Sequence, residues 1–275
     1  MTATTTSHSY LFVPGNRPER FTKAQRSGAD RVILDLEDAV AEADKDIARQ
    51  QVSDYLGANG TGIVRINATE ARWLDDVLAC RKPGLQGIVL PKAESSEVIT
   101  QVVQLLPPGV KVLPLIETAK GMKCLDEIAS TAGVERLVFG TVDFRTELGI
   151  EGDDQELLYF RSMIVLASKA AGIAAPVDGV TVSITDVDEL QHACVKGRRL
   201  GFCGKLCIHP SQVGEVNKAF RPSDEQIAWA VRVVNTAKGS PGAFKLDGEM
   251  VDAPVIARAN ELLRRAGVSA DADHH

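Results

Sequence analysis

Two acidic residues, Glu117 in Ile116-Glu-Thr118 and Asp143 in Phe139-Gly-Thr-Val-Asp143, each follow an apolar run of the kind that builds a buried strand. Carboxylates carried on neighbouring strands can meet at one point. Two oxygen donors suit Mg²⁺, which keeps several waters and takes only one or two protein carboxylates. Spacing alone leaves a second reading open, in which each acid caps a helix or pairs with a cation. Other polar and charged groups stand at comparable places: Asn16 and Arg17, Asp35, Glu37 and Asp38, Arg65 and Asn67, Lys92 and Glu94, and His209. Lys92 raises the idea of an imine, but an amine beside carboxylates stays protonated. Cys203-x₃-Cys207-x-His209 has the residue types of a zinc site without a second ligand cluster. His209 reads more simply as a supporting group at the last strand.

The elements that must position these groups are short runs rich in Val, Ile and Leu. They begin at Tyr10, Arg31, Gly62, Gly87, Lys111, Arg136, Val177 and Lys205. Near-continuous apolar strands separated by helical segments indicate a parallel sheet buried on both sides. The expected fold is therefore α/β, a (β/α)₈ TIM barrel over residues 10–221, with the catalytic groups at the carboxyl ends of its strands. Pro18 to Ala29 and Ser95 to Leu106 read as barrel helices, the latter stopped by Pro107-Pro108. Beyond the barrel, residues 222–266 read as a C-terminal helical/hairpin arm or lid. It comprises a helix from Ser223 to Lys238, a hairpin turning at Asp247-Gly248, and a last helix from about Pro254 to Ala266. Residues 1–9 are expected to be flexible and 267–275 disordered.

Composition narrows the function. The 275 residues carry a formal charge of −6, which opposes nucleic acid binding. An anionic small molecule would need a local basic rim, for which Arg17, Arg20, Lys23, Arg65 and Lys92 are available. There is no transmembrane run or signal-peptide pattern, and five scattered cysteines suit reduced thiols, so a cytoplasmic location is expected. The glycines match neither G-x-G-x-x-G nor a P-loop.

Seven motifs occur in order: Val13-Pro-Gly-Asn-Arg-Pro-Glu-Arg20, Ile33-Leu-Asp-Leu-Glu-Asp38, Val64-Arg-Ile-Asn67, Leu90-Pro-Lys92, Ile116-Glu-Thr118, Phe139-Gly-Thr-Val-Asp143 and Cys207-Ile-His-Pro-Ser-Gln212. Together they resemble the citrate lyase β-subunit-like branch of the HpcH/HpaI aldolase superfamily, from about Tyr10 to Pro254. The resemblance implies a homotrimeric (β/α)₈ barrel that cleaves or forms a carbon–carbon bond in a β-hydroxyacyl thioester through a thioester enolate. It makes Glu117 and Asp143 the Mg²⁺ ligands and turns Arg65 toward a substrate oxygen. Gly140, Thr141 and Asp38 join Arg65 around the substrate. Either Glu37 or Asp38 orders metal-bound water or holds Arg65; a salt-bridged rim is the plainer alternative.

Asp252, in Met250-Val-Asp-Ala-Pro254, resembles a catalytic aspartate that relatives supply from a neighbouring subunit, and it equally suits a helix N-cap. Arg17, Arg20 and Lys23 are candidates for CoA phosphates, or for a solvated helix face. The expected substrate is malyl-CoA, citramalyl-CoA or a related ester. The alternatives are an aldolase acting on a CoA-free hydroxy-keto acid to release pyruvate, and a citrate lyase β subunit acting on an acyl-carrier thioester within a complex.

Overall fold

The apolar runs form eight parallel strands: β1 (Ser9–Pro14), β2 (Arg31–Asp35), β3 (Gly62–Arg65), β4 (Leu85–Leu90), β5 (Lys111–Ile116), β6 (Val138–Phe139), β7 (Val177–Asp178) and β8 (Gly204–Cys207). They pair in chain order, and β1 closes on β8 through Ser9↔Lys205, Tyr10↔Leu206 and Leu11↔Cys207. The result, in a computed structural model that describes residues 7–240 and 242–268, is a closed (β/α)₈ barrel. All eight strands contribute to its buried interior, among them Tyr10, Ile33, Ile63, Val89, Leu113, Val138, Val177 and Leu206. Helices separate successive strands, as parallel crossovers require.

Local chemistry sets the helix ends. Pro18 opens the helix Pro18–Gln25, which ends short of the stop at Gly28 expected from sequence; Gly28 itself takes a left-handed conformation (φ 83°). Ser95 caps Ser96–Leu105 by accepting from the Val98 N–H, and Thr118, next to Glu117, caps Ala119–Lys123 through the Gly121 N–H. The run from Arg136 to Asp143 differs more from its reading as one strand. Pairing with β5 covers only Val138 and Phe139, Gly140 is the cap, and Asp143 lies in the first turn of the helix Thr141–Leu148. Asp143 therefore does not end a strand.

The barrel unit spans His8–Asn217, and a second unit takes the chain from Lys218. The barrel thus starts earlier than residue 10: the His8 N–H donates to Asp30 Oδ2 at 2.7 Å, and Ser9 is already in β1. The expected flexible segment falls, for residues 1–6, outside the described residues. In the second unit, the helices Asp224–Lys238 and Ala253–Ala266 pack through Ala230, Val233, Ala259 and Leu263. Ser223 and Gln226 form a capping box on the first of these helices. Between the two helices, β9 (Phe244–Leu246) and β10 (Glu249–Val251) make a hairpin whose turn residues, Asp247 and Gly248, both have positive φ. Gly267 ends the last helix and the Val268 N–H bonds Leu263 O, so these two are ordered; 269–275 lie outside the described residues.

Candidate active site

Strand register makes the centre of the site. β2 and β3 pair Asp35 directly with Arg65, and the two side chains meet as a bidentate ion pair: Arg65 Nε to Asp35 Oδ1 at 2.7 Å and Nη2 to Oδ2 at 2.6 Å. Both are buried. Burial works against the guanidinium charge, but the hydrogen bond and charge of Asp35 outweigh it and hold the Arg65 pKa above its ordinary value. The Phe12 ring lies 4.7 Å from the guanidinium carbon. Nε and Nη2 are thus committed to Asp35, and Nη1 is the nitrogen left to face outward, 3.2 Å from Glu37 Oε2 and 3.5 Å from Asp38 Oδ2.

Glu37 is nearly buried, and its Oε2 has no hydrogen-bond partner. Burial pushes its pKa up to about 7 despite Arg65, with Asp38 adding to the rise. Lys92 Nζ stands 3.4 Å from Glu37 Oε1. Behind it, the ammonium of buried Lys45 donates to the carbonyls of Leu36 and Glu37 at 2.8 and 2.6 Å, which fixes the turn that carries Glu37.

Glu117 follows β5 directly and is buried. Its Oε1 accepts the Lys92 N–H at 2.7 Å; Lys92 has φ of 46°, a backbone twist unusual for a non-glycine residue. Its other oxygen, Oε2, packs on Gly140, where a Cβ would stand only 2.7 Å away and 2.5 Å from the Glu117 Cβ. Gly140 is therefore required to be glycine by the carboxylate of Glu117. Burial pushes Glu117 up to about 8; Glu37 and Asp143 add to the rise, and the Lys92 N–H and Arg65 oppose it.

Part of this cluster borders a cavity of about 390 Å³ at the carboxyl end of the barrel, while Glu37 and Lys92 are not among the residues that line it. Asp35, Asp38, Glu117 and Asp143 line it against a single guanidinium, Arg65, and Thr141 and Gly140 complete that side. With Asp35 neutralised by Arg65, the remaining carboxylates create a field that attracts a cation. Hard oxygen donors of this kind fit Mg²⁺, which needs few protein ligands; among the described residues no three His, Cys, Asp or Glu form a closed cage. The rest of the lining is largely apolar and includes Phe12, Leu115, Val180, Leu206 and Ile208.

Other residues singled out in the sequence fall elsewhere. Arg17, Arg20 and Lys23 are exposed on and beside the helix Pro18–Gln25, none lines the cavity, and Arg20 is 3.9 Å from Glu19. The basic rim does not gather: only Arg65 and Lys92 flank Glu37. Burial disfavours the Lys92 ammonium, yet Glu37 and Glu117 hold its pKa above the ordinary value, which opposes imine chemistry. Cys203 and Cys207 are buried while His209 is exposed, and Cys203 Sγ accepts from Arg136 Nη1 at 2.8 Å, so they assemble no zinc site. Asp252 caps the last helix, its Oδ1 accepting the Val255 N–H at 3.3 Å.

The sequence profile of the HpcH/HpaI aldolase/citrate lyase family matches residues 8–210, the whole barrel. The chain belongs to this family. A citrate lyase subunit beta-like protein of Mycobacterium tuberculosis (strain H37Rv) is 41% identical over 266 residues, 94% of this chain and 95% of the relative. A (3S)-malyl-CoA thioesterase of Cereibacter sphaeroides (strain ATCC 17025) is 34% identical over 269 residues, 94% of each chain. Among solved structures, CitE from M. tuberculosis in complex with magnesium, acetoacetate and coenzyme A superposes with a TM-score of 0.81 at 40% identity, covering 95% of this chain and 98% of that one. The chain's relatives thus include both a citrate lyase subunit beta-like protein and a thioesterase.

Proposed function

We propose that this HpcH/HpaI family member is a Mg²⁺-dependent carbon–carbon lyase that cleaves, or forms, a β-hydroxyacyl-CoA thioester such as malyl-CoA or citramalyl-CoA. The observation that carries the reading is the cavity in which Glu117 and Asp143 face the guanidinium of Arg65. The M. tuberculosis relative bound to magnesium, acetoacetate and coenzyme A supports both the metal and the ligand class.

Glu117 and Asp143 would hold the cation. When bound, it would supply electrophilic polarisation of a substrate oxygen. The protein's own groups do the rest. Arg65, its plane fixed by Asp35 and Phe12, turns Nη1 toward the oxygen on which negative charge develops as the carbon–carbon bond breaks. Gly140 and Thr141 bound the same side of the substrate. Glu37, held near neutrality and 3.2 Å from Arg65, can keep or release a proton at Oε2 while its Oε1 faces Lys92. The thioester enolate that remains is protonated by Asp252 of a neighbouring subunit within a homotrimer, and Arg17, Arg20 and Lys23 meet the CoA phosphates at the surface. The enzyme works in the cytoplasm without a partner protein.

The test is a panel of β-hydroxyacyl-CoA esters given to the purified chain with and without Mg²⁺. Keto-acid release together with a shortened acyl-CoA supports the lyase. Free CoA with an intact hydroxy acid supports hydrolysis instead, the reading favoured by the C. sphaeroides thioesterase relative. Turnover only after an acyl-carrier protein is added would make the chain a citrate lyase β-type subunit, and turnover of free hydroxy-keto acids a CoA-free aldolase.

A further inference from the structure

Two loops carry part of the cavity's apolar lining, one after β7 with Val180 and one after β8 with Ile208. Both loops also expose apolar side chains, Val182 at 61% and Ile208 at 41%, so hydrophobic burial alone does not hold them in place. Ser211 Oγ donates to the Ile184 carbonyl at 3.4 Å, and the larger bridge between the two loops is Gln212. Gln212, two residues into the helix Pro210–Phe220 and only 2% exposed, uses its whole hydrogen-bonding capacity. Its Oε1 accepts from the backbone N–H of Ile208 at 2.9 Å and of His209 at 3.3 Å. Its Nε2 donates to the carbonyls of Thr181 at 2.9 Å and Ser183 at 3.1 Å.

We infer that Gln212 is a positioning residue that staples the β7 and β8 loops and thereby fixes which acyl substituent the cavity accepts. The amide is the group suited to this task. A carboxylate would accept from the β8 loop and repel the β7 carbonyls, and a hydrocarbon of equal length would leave four backbone groups, that of Thr181 buried, without this partner. Val180 and Ile208 line the cavity and neither is a proposed metal ligand, so a change in their separation alters fit while Glu117 and Asp143 stay in place. The selectivity part of this inference rests on the proposed lyase activity; the staple does not.

The experiment compares wild type, Gln212→Met and Gln212→Glu by amide hydrogen exchange and by calorimetric binding of pyruvate and 2-oxobutyrate, which differ by one methylene, in the presence of Mg²⁺. Gln212→Met is expected to speed exchange at 181–184 and 208–209 by about tenfold or more. Gln212→Glu is expected to do so at 181–184 alone. In both variants the ratio of the two keto-acid affinities shifts about fivefold or more, a discrimination of the size one methylene provides, while Mg²⁺ affinity holds. Unchanged exchange in Gln212→Met overturns the staple, and loosened loops with an unchanged affinity ratio overturn the selectivity role. A wild-type chain that binds neither acid overturns the lyase reading and the selectivity role with it, leaving the exchange result to decide the staple separately.

Discussion

Asp35 and Arg65 stand opposite each other on adjacent strands, and two of the three guanidinium nitrogens are spent on that one carboxylate. Removing the acid takes the bidentate partner from a buried cation and leaves it only the looser contacts to Glu37 and Asp38, so Asp35→Ala is expected to lower stability by up to about 3–5 kcal/mol in chemical denaturation. Arg65→Lys keeps the charge and loses the fork. Its kcat/KM should fall by about a hundredfold or more with Mg²⁺ affinity little changed; a loss confined to metal binding would contradict the role given to Arg65.

Gly140→Ala drives a methyl group into the Glu117 carboxylate, 2.7 Å from Oε2. The expected result is a Mg²⁺ affinity reduced by about tenfold or more by calorimetry, with a folded barrel by circular dichroism. Affinity equal to wild type would mean that Glu117 does not ligate the ion from this position.

Glu117→Gln removes the buried carboxylate outright. Turnover should become undetectable and should not return at high Mg²⁺, and chelation of the wild-type protein should give the same loss, reversed by adding the ion back. Activity that survives chelation removes the metal from the mechanism.

The pH dependence follows from the same acids. In the metal-free protein, burial raises Glu117 from 4.5 to about 8 and Glu37 from 4.5 to about 7. The folded state therefore binds these protons more tightly than the unfolded chain. The stability they contribute is fully present below about 4.5 and is lost as pH rises toward 8. A cation at Glu117 requires the ionised form, so the rise in Tm produced by Mg²⁺ should be larger at about pH 8.5 than at about pH 6. An equal rise at both values would count against Glu117 as ligand.

Asp252 can be separated from its capping role. Asparagine caps a helix about as well as aspartate, so Asp252→Asn should keep the thermal midpoint while enolate proton exchange falls steeply. Unchanged exchange leaves Asp252 as a cap alone.

Strand positions were legible because a sheet buried on both faces demands continuous Val, Ile and Leu, and such runs are visible without any partner. The β6 region was harder. Thr141 and Val142 are β-branched and prolong the strand pattern, but Gly140 turns the chain into a helix that starts at the cavity, and propensity yields to tertiary context. The clamp on Arg65 was ambiguous for another reason. By motif that task falls to Glu37 or Asp38, whereas the β2–β3 register, which a single sequence does not display, gives the bidentate clamp to Asp35. Gln212 was visible as the last residue of a family-like motif, but its bridging role was not, since its β7-loop partners lie 29 and 31 positions away.

Closure of the ladder between Ser9 and Lys205 has a consequence for biosynthesis. Phe12 leaves the ribosome almost two hundred residues before Leu206, the neighbour that shares its wall of the cavity. Until then the growing sheet has two bare margins open to pairing with other chains, and the pocket does not exist. The interval of greatest aggregation hazard ends only when the eighth strand emerges.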